Sequence, residues 1–134
     1  MIASLRRSVP AQTRRFAVLM GAGRVVFGAS MVVAPRTFLA AMRTPKDQVS
    51  DSARLLTRMT GLRDVLLGVH VLSQLDDRDG LRSAALLNAA ADAGDAASLA
   101  ISTRWEGFFT AGASGFPVAA SASAAFIGLA RSLD

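Results

Sequence analysis

The side chains of this sequence that could do chemistry are a few polar groups within otherwise apolar stretches. Four apolar stretches run along the chain, and charged, amide or imidazole groups interrupt the first three. A charge at the centre of a membrane-spanning helix costs about 2.5–3.5 kcal/mol, so such groups must face a bundle interior and pair. The candidate ligand or proton network consists of Arg24, Arg63, Asp64, His70, Asn88, Asp92 and Asp95.

Helical spacing places these groups on shared faces. Asn88, Asp92 and Asp95 follow the spacing i, i+4, i+7, which is one face of a helix. Arg63 and His70 are separated by seven positions and also share a face. We therefore expect one polar face on each of these two helices.

Depth along the helices indicates which groups meet. At a rise of about 1.5 Å per residue, Arg24, His70 and Asp92 fall in one layer of a bundle. Arg63 lies closer to the opposite membrane face, and its long side chain can reach the level of Asp95. We predict two interhelical ion pairs, Arg24 with Asp92 and Arg63 with Asp95.

The predicted network has an unequal number of charges. Asp64 is expected to bond locally or to Arg58, and the network then holds two arginines and three aspartates. It carries one net negative charge unless His70 is protonated or one aspartate is neutral. A site that must hold a proton is a candidate proton-coupled or ligand-responsive element.

Structural interpretations stand beside the functional ones. The arginine–aspartate pairs can serve only to fix helix register, and His70 can be a hydrogen-bonded core histidine. A divalent ion at Asp92 and Asp95 is disfavoured because arginines face both carboxylates. With no cysteine and one histidine, we expect no catalytic residue, no metal ion and no cofactor.

The elements that position these groups are predicted to be helices. A spanning helix needs about 20 apolar residues, and the stretch 107–130 has no charge at all. The first three stretches qualify if their charges find partners. We predict an all-α fold, a four-helix transmembrane bundle with a short interfacial helix (36–43) between helices 1 and 2. It forms a single membrane domain, 1–134, with helices at about 16–35, 46–75, 82–103 and 107–131.

Capping patterns predict where the helices begin. Thr44 followed by Pro45 is a typical helix start, and Asp79 is placed to cap the third long helix. Thr103 and Glu106 have capping-box spacing after a short polar turn at 102–106. An interfacial aromatic belt is predicted at Trp105, Phe108 and Phe109.

Composition supports a membrane protein and argues against nucleic-acid binding. The 134 residues are 51% hydrophobic and 19% charged, with a net charge of +5. The basic residues are scattered or clustered near the N-terminus, without the interleaved aromatics of a nucleic-acid surface. We expect a multi-pass protein of the inner cell membrane with both termini cytoplasmic, because the N-terminal basic cluster favours the inside. A soluble helical bundle with unusually apolar core helices is the alternative.

Three short motifs resemble those of a known group of proteins. They are Gly23-Arg24 with Gly28 and Ala34-Pro35, then Gly61-Leu62-Arg63-Asp64 with Gly68, and then Asp92-Ala93-Gly94-Asp95. Over roughly residues 16–131 the chain resembles small bacterial, especially actinobacterial, four-helix membrane proteins of unknown function in the DoxX-like neighbourhood. The resemblance implies a multi-pass inner-membrane protein and brings no established activity.

Two functions of different classes follow from these patterns. The first is a non-enzymatic accessory or scaffold protein in the lipid bilayer, binding a second copy or a membrane-protein partner through glycine- and alanine-rich faces. The second is a small carrier or proton-coupled binding protein that takes a small apolar or amphipathic ligand at the network. An enzyme is the third possibility and is disfavoured, because no catalytic constellation is visible.

Overall fold

The protein is an array of α-helices. The computed structural model describes residues 8–105 and 109–134, and the side chains of these ranges apart from 102–114 and 116. In this part of the chain there are five α-helices and no strand, which confirms the all-α class. The helices are α1 (Ala11–Val33), α2 (Pro35–Ala41), α3 (Asp51–Ser73), α4 (Arg78–Trp105) and α5 (Phe109–Arg131).

The short second helix lies close to its predicted position. Pro35 is its first residue, where a proline is favourable because the amide N–H there has no intrahelical partner. Just beyond its end, Arg43 has a φ of 58°, in the left-handed region that ends many helices. The chain therefore turns back after α2, and α2 contacts both α1 and α3.

The predicted start of the second long helix near Pro45 is wrong. Only a 3₁₀ turn, Lys46–Gln48, follows that proline. The α-helix begins at Asp51, because the Ser50 hydroxyl accepts a hydrogen bond from the Ala53 backbone N–H at 3.1 Å. Ser50 itself has an extended backbone, which separates the turn from α3.

The start and end of α4 also differ from the prediction. The Asp77 carboxylate, rather than that of Asp79, accepts from the backbone N–H of Gly80 at 3.3 Å, and α4 begins at Arg78. At its other end α4 runs through Thr103 to Trp105, where the sequence predicts a turn. Glu106 and the predicted aromatic belt of Trp105, Phe108 and Phe109 lie outside the described residues or side chains.

The long helices pack as two pairs. Helix α1 lies along α3, and α4 lies along α5, whereas contacts between the two pairs are few. All four helices meet at the end of the bundle where α1 begins and α5 ends, which we call the termini end. Ion pairs join Arg14 to Asp76 and Arg82 to Asp134 there. The main hydrophobic core lies at the same end and includes Ala17, Val71, Leu81, Ala85, Phe126, Leu129 and Leu133.

Glycine lets α1 and α3 approach until their backbones touch. A Cβ atom built on Gly28 would lie 2.5 Å from the Gly61 carbonyl oxygen, and the reverse distance is also 2.5 Å. One built on Gly68 would lie 2.6 Å from the Gly21 carbonyl oxygen. Any larger side chain at these positions would force the helices apart, as is typical of small-residue helix contacts.

One described helix is long and apolar enough to cross a membrane by its own composition. It is α1, whose 23 residues carry Arg14 and Arg15 near the start and Arg24 in the middle. A shorter apolar stretch, Pro117–Arg131, forms part of α5.

Candidate functional site

The centre of the site is a buried ion pair between α1 and α4. The Arg24 guanidinium donates from Nη1 to Asp92 Oδ2 at 2.8 Å and from Nη2 to Asp92 Oδ1 at 2.7 Å. Both side chains are 7% exposed. Two parallel hydrogen bonds of this kind give both strength and fixed orientation. The pair predicted from the sequence is confirmed.

The second predicted pair, between α3 and α4, is also confirmed. Arg63 donates from Nη1 to Asp95 Oδ1 at 2.9 Å and from Nη2 to Asp95 Oδ2 at 2.6 Å. These side chains are 39% and 36% exposed, far more than the first pair. The half-exposed pair lies one helical turn along α4 from the buried one.

Asp64 joins the two pairs into one network. Its Oδ1 accepts from Arg24 Nη2 at 3.0 Å and from Arg63 Nη2 at 3.1 Å. A local bond was predicted without a named partner, and the structure gives that partner as Arg63. The alternative partner Arg58 is wrong, and the bond to Arg24 was not predicted. Arg58 is six positions away, on a different face of the helix, and its Nε donates to the Val32 carbonyl oxygen at 3.3 Å.

The close contact of α1 and α3 is what brings Asp64 within reach of Arg24. The Cβ of Asp64 lies 3.0 Å from where a Cβ of Gly28 would be. A side chain at position 28 would occupy the space through which the carboxylate passes. Gly21 and Gly28 lie on either side of Arg24 in α1, and both are in contact with α3.

The placement of His70 in the network is wrong. Its side chain is exposed on the outer surface of α3, three residues from the helix end, which is about 5 Å. The inward face of α3 is defined by Gly61, Asp64, Gly68 and Val71. His70 is six positions after Asp64, so it points away from that face. The prediction assumed that Arg63 lies at the centre of the inward face of α3. Arg63 lies at the edge of that face, so a residue seven positions later is on the outside.

Asn88 is buried but bonds outside the network. It lies one turn before Asp92 on the same face, as predicted, and is 0% exposed. Its Nδ2 donates to the Ala84 carbonyl oxygen at 2.9 Å, within its own helix. Its Oδ1 has no hydrogen-bond partner among the described residues. Asn88 thus lies between the network and the apolar core at the termini end.

Helix α5 contributes groups that the sequence analysis missed. The Phe126 ring lies 5.6 Å from the Cζ of Arg24, a cation–π distance. The Ser123 hydroxyl donates to the Ala89 carbonyl oxygen at 2.9 Å and ties α5 to α4. The only signal available was the three-residue spacing of these two side chains, which puts them on one face. Because α5 has no charged residue before Arg131, nothing in the sequence pointed to that face.

The network forms one wall of an apolar cavity between the two helix pairs. The cavity has a volume of about 380 Å³ and lies in the half of the bundle away from the termini end. Its charged lining is Arg24, Asp64, Asp92 and Asp95, all on one side. The remaining lining is almost entirely apolar and includes Met20, Phe27, Met31, Phe38, Leu39, Leu99, Val118, Ala119, Ala122 and Phe126.

Helix α2 covers part of this cavity. Phe38 and Leu39 face into it, and the Phe38 ring meets the Phe27 ring edge-on with centroids 5.2 Å apart. Residues after α2, including Thr44, continue the same wall. The space is large enough for a small organic molecule, with one polar wall to orient it.

Comparison of this chain with known protein families, curated proteins and solved structures finds no match. The resemblance to DoxX-like membrane proteins therefore stays a prediction. What the chain does has to be argued from the network and the cavity.

Proposed function

We propose that this chain is a membrane protein whose four long helices cross the bilayer and whose central cavity binds a small amphipathic molecule. Of the two functions predicted from the sequence, this is the ligand-binding one. The observation that carries it is the apolar cavity with the buried Arg24–Asp92 pair in its wall.

The outer surface of the helices supports a lipid environment. Large apolar side chains are exposed on all four long helices, and extensive exposed apolar surface is uncommon in a soluble monomer. They include Leu19, Val26, Val33, Leu56, Leu66, Val69, Leu87, Ile101, Val118 and Ile127. The exposed charged side chains of the described residues lie in the connections or near the helix ends, except that of Arg58, which is two turns into α3.

Three polar groups that lower the hydropathy of α3 and α4 are directed inward. Asp64, Asn88 and Asp92 are buried, so the surface these helices offer to lipid is more apolar than their average composition. A membrane protein must satisfy such groups within the protein, because hydrocarbon offers no partner. This favours four spans, although among the described residues α1 is the one helix that is long and apolar enough by its own composition.

Single-cysteine labelling tests the four-span arrangement. The chain has no cysteine, so Ser8→Cys, Gln48→Cys, Asp76→Cys and Ser132→Cys each give one reporter. With four spans and cytoplasmic termini, a membrane-impermeant maleimide added to intact cells labels only the position 48 variant. If α1 were the sole span, positions 48, 76 and 132 would share one side and label alike. Release of the protein from membranes by alkaline carbonate would contradict both arrangements.

Ligand binding is tested by what remains bound to the purified protein. We expect mass spectrometry of solvent extracts to find a small amphipathic molecule in stoichiometric amount with the wild-type protein. Ala122 lines the cavity, so Ala122→Phe should fill it and remove the bound molecule. Ala124 is on the same helix but exposed, so Ala124→Phe is the matched control and should retain it. Equal retention by the two variants would refute binding in this cavity.

A scaffold role is the second candidate, and exposed glycines favour it. Gly94 on α4 and Gly128 on α5 have open space where a Cβ would lie. Such positions let another helix approach closely. Chemical cross-linking in membranes tests this: Gly94→Leu and Gly128→Leu should abolish a cross-linked dimer or partner complex if these faces carry the contact.

A further inference from the structure

We propose that the ligand of this cavity is an amphipathic organic cation, a molecule with one ammonium group on an apolar body, which enters in exchange for a proton. The inference rests on the proposed ligand binding and names its chemical class. It is carried by the charged and the aromatic side chains that line the cavity.

The charged wall of the cavity is negative. Three carboxylates line it, from Asp64, Asp92 and Asp95, against the single guanidinium of Arg24. Arg63 pairs with Asp95 but is not part of the cavity lining. Counting it gives, among the side chains that the structure describes, a network of two arginines and three aspartates with one negative charge in excess. His70 cannot supply the missing positive charge, because it lies on the outer surface of α3.

An uncompensated charge in an apolar surrounding is costly, so the empty site must hold one cation. A proton on one of the carboxylates fulfils this requirement when no ligand is present. When an organic ammonium ion enters, it supplies the positive charge, one carboxyl O–H bond breaks and the proton leaves to the solvent. One cation is gained and one proton is released, so the net charge of the site is unchanged.

Asp95 is the carboxylate that an entering ammonium group reaches most readily. It lines the cavity, and its side chain is 36% exposed, whereas those of Asp64 and Asp92 are 9% and 7% exposed. The charged groups around it are Arg63 and Asp64 on α3, Asp92 on its own helix, and Arg24 on α1. In the described lining, α2 and α5 contribute no charged side chain.

The apolar and aromatic part of the cavity lining suits a ligand that has an ammonium group on an apolar body. Phe27 and Phe38 form an aromatic corner of the cavity, and ring faces attract ammonium groups. Met20 and Met31 add flexible, polarisable surface that adapts to different shapes. A ligand with an anionic head is disfavoured, because it would meet three carboxylates. The unpartnered Nε of Arg24 is enclosed by protein and offers such a ligand no donor.

Calorimetric titration of the protein in zwitterionic lipid nanodiscs tests the charge preference. The probes are benzyltrimethylammonium, its uncharged carbon isostere neopentylbenzene, and the anion phenylmethanesulfonate, each corrected with empty nanodiscs. We expect the cation to bind at least about tenfold more tightly than the other two probes. Repeating the titration in phosphate and in Tris, whose ionisation enthalpies differ, should show release of up to one proton per bound cation.

Variants locate the binding and separate this proposal from the preceding one. Asp95→Asn should lose both cation binding and proton release, Asp95→Glu should keep them, and the exposed Asp79→Asn on the same helix is the matched control. If the neutral isostere binds equally well and Ala122→Phe blocks it, the cavity binds ligands but the cation class is wrong. Stronger binding of the anion, cation binding without proton release, or no binding of any probe also overturns the proposal. Because proton release is measured on the wild-type protein, the test holds even if Asp95→Asn fails to fold.

Discussion

The two helix pairs are equally extensive but are packed by different means. In the α1/α3 pair, glycines place backbone against backbone, with Gly28 opposite Gly61 and Gly21 opposite Gly68. In the α4/α5 pair, side chains fill the contact, and the large buried groups are Leu81, Phe126 and Leu129 among alanines.

The difference has a consequence for the site. Backbone contact leaves no room for a core between α1 and α3, so the polar side chains Arg24 and Asp64 emerge toward the other pair. In the α4/α5 pair, large side chains form the hydrophobic core at the termini end. Small residues of the same pair, such as Ala119 and Ala122, line the cavity. The α1/α3 pair therefore directs Arg24 and Asp64 toward α4. The α4/α5 pair supplies the carboxylates that pair with the arginines and much of the lining of the cavity.

The largest effect is expected from removing the charge that joins the two pairs. Arg24→Met leaves Asp64 and Asp92 buried without their shared partner and should lower the free energy of unfolding by about 3–5 kcal/mol. The exposed Arg14, paired with Asp76, is the control, and Arg14→Met should cost at most about 1 kcal/mol. Reversible denaturation in detergent, followed by circular dichroism, measures both. Equal stabilities would mean that the network does not hold the pairs together.

A smaller loss is expected where glycine sets the distance between α1 and α3. Gly28→Ala puts a methyl group 2.5 Å from the Gly61 carbonyl oxygen and should destabilise the protein by about 1–3 kcal/mol through overpacking. Gly23 on the same helix has no atom within 4 Å of an added Cβ, so Gly23→Ala should be neutral or stabilising. Similar unfolding midpoints for the two variants would show that backbone contact is not what limits this pair.

The α4/α5 pair should depend less on any single small residue. Ser123→Ala removes the hydrogen bond to the Ala89 carbonyl oxygen and should cost about 1 kcal/mol. Ser121 is exposed and bonds only within its own helix, to Pro117 and Val118, so Ser121→Ala is its control. A loss as large as that of Gly28→Ala would indicate that both pairs rely on specific contacts to the same degree.

The smallest effect is expected outside both contacts. His70 is exposed on α3, so His70→Asn should change the free energy of unfolding by no more than about 0.5 kcal/mol. Binding of any ligand at the cavity should be unchanged, because His70 does not line it. A measurable shift in the pH dependence of binding in this variant would return His70 to the network and contradict the helix orientation described above.

The ion pairs within the network could be predicted only where opposite charge is enough to identify the two partners. Arg24 with Asp92 and Arg63 with Asp95 followed from matching opposite charges at similar depth. The role of Asp64 could not be derived in this way, because two arginines lie within its reach and charge does not choose between them. The Asp64 carboxylate accepts hydrogen bonds from both Arg24 and Arg63, and this depends on how closely α3 approaches α1.

Helix boundaries show a similar division. Apolar length identified four long helices and a short one, but the capping residues Ser50 and Asp77 were missed in favour of Thr44 and Asp79. Several residues in each connection have side chains able to cap. Which of them does so depends on where the tertiary packing requires the chain to turn.

By itself, the sequence determined that the chain is helical, that charges lie within apolar helices, and that these charges must find one another. Those conclusions need only composition and spacing, because the cost of an unpaired charge in an apolar surrounding holds for any arrangement of helices. The tertiary structure alone decided which face of α3 turns inward, which excludes His70, and where the helices separate to leave a cavity. These features depend on the distance between two backbones, and that distance is set jointly by glycines on both helices.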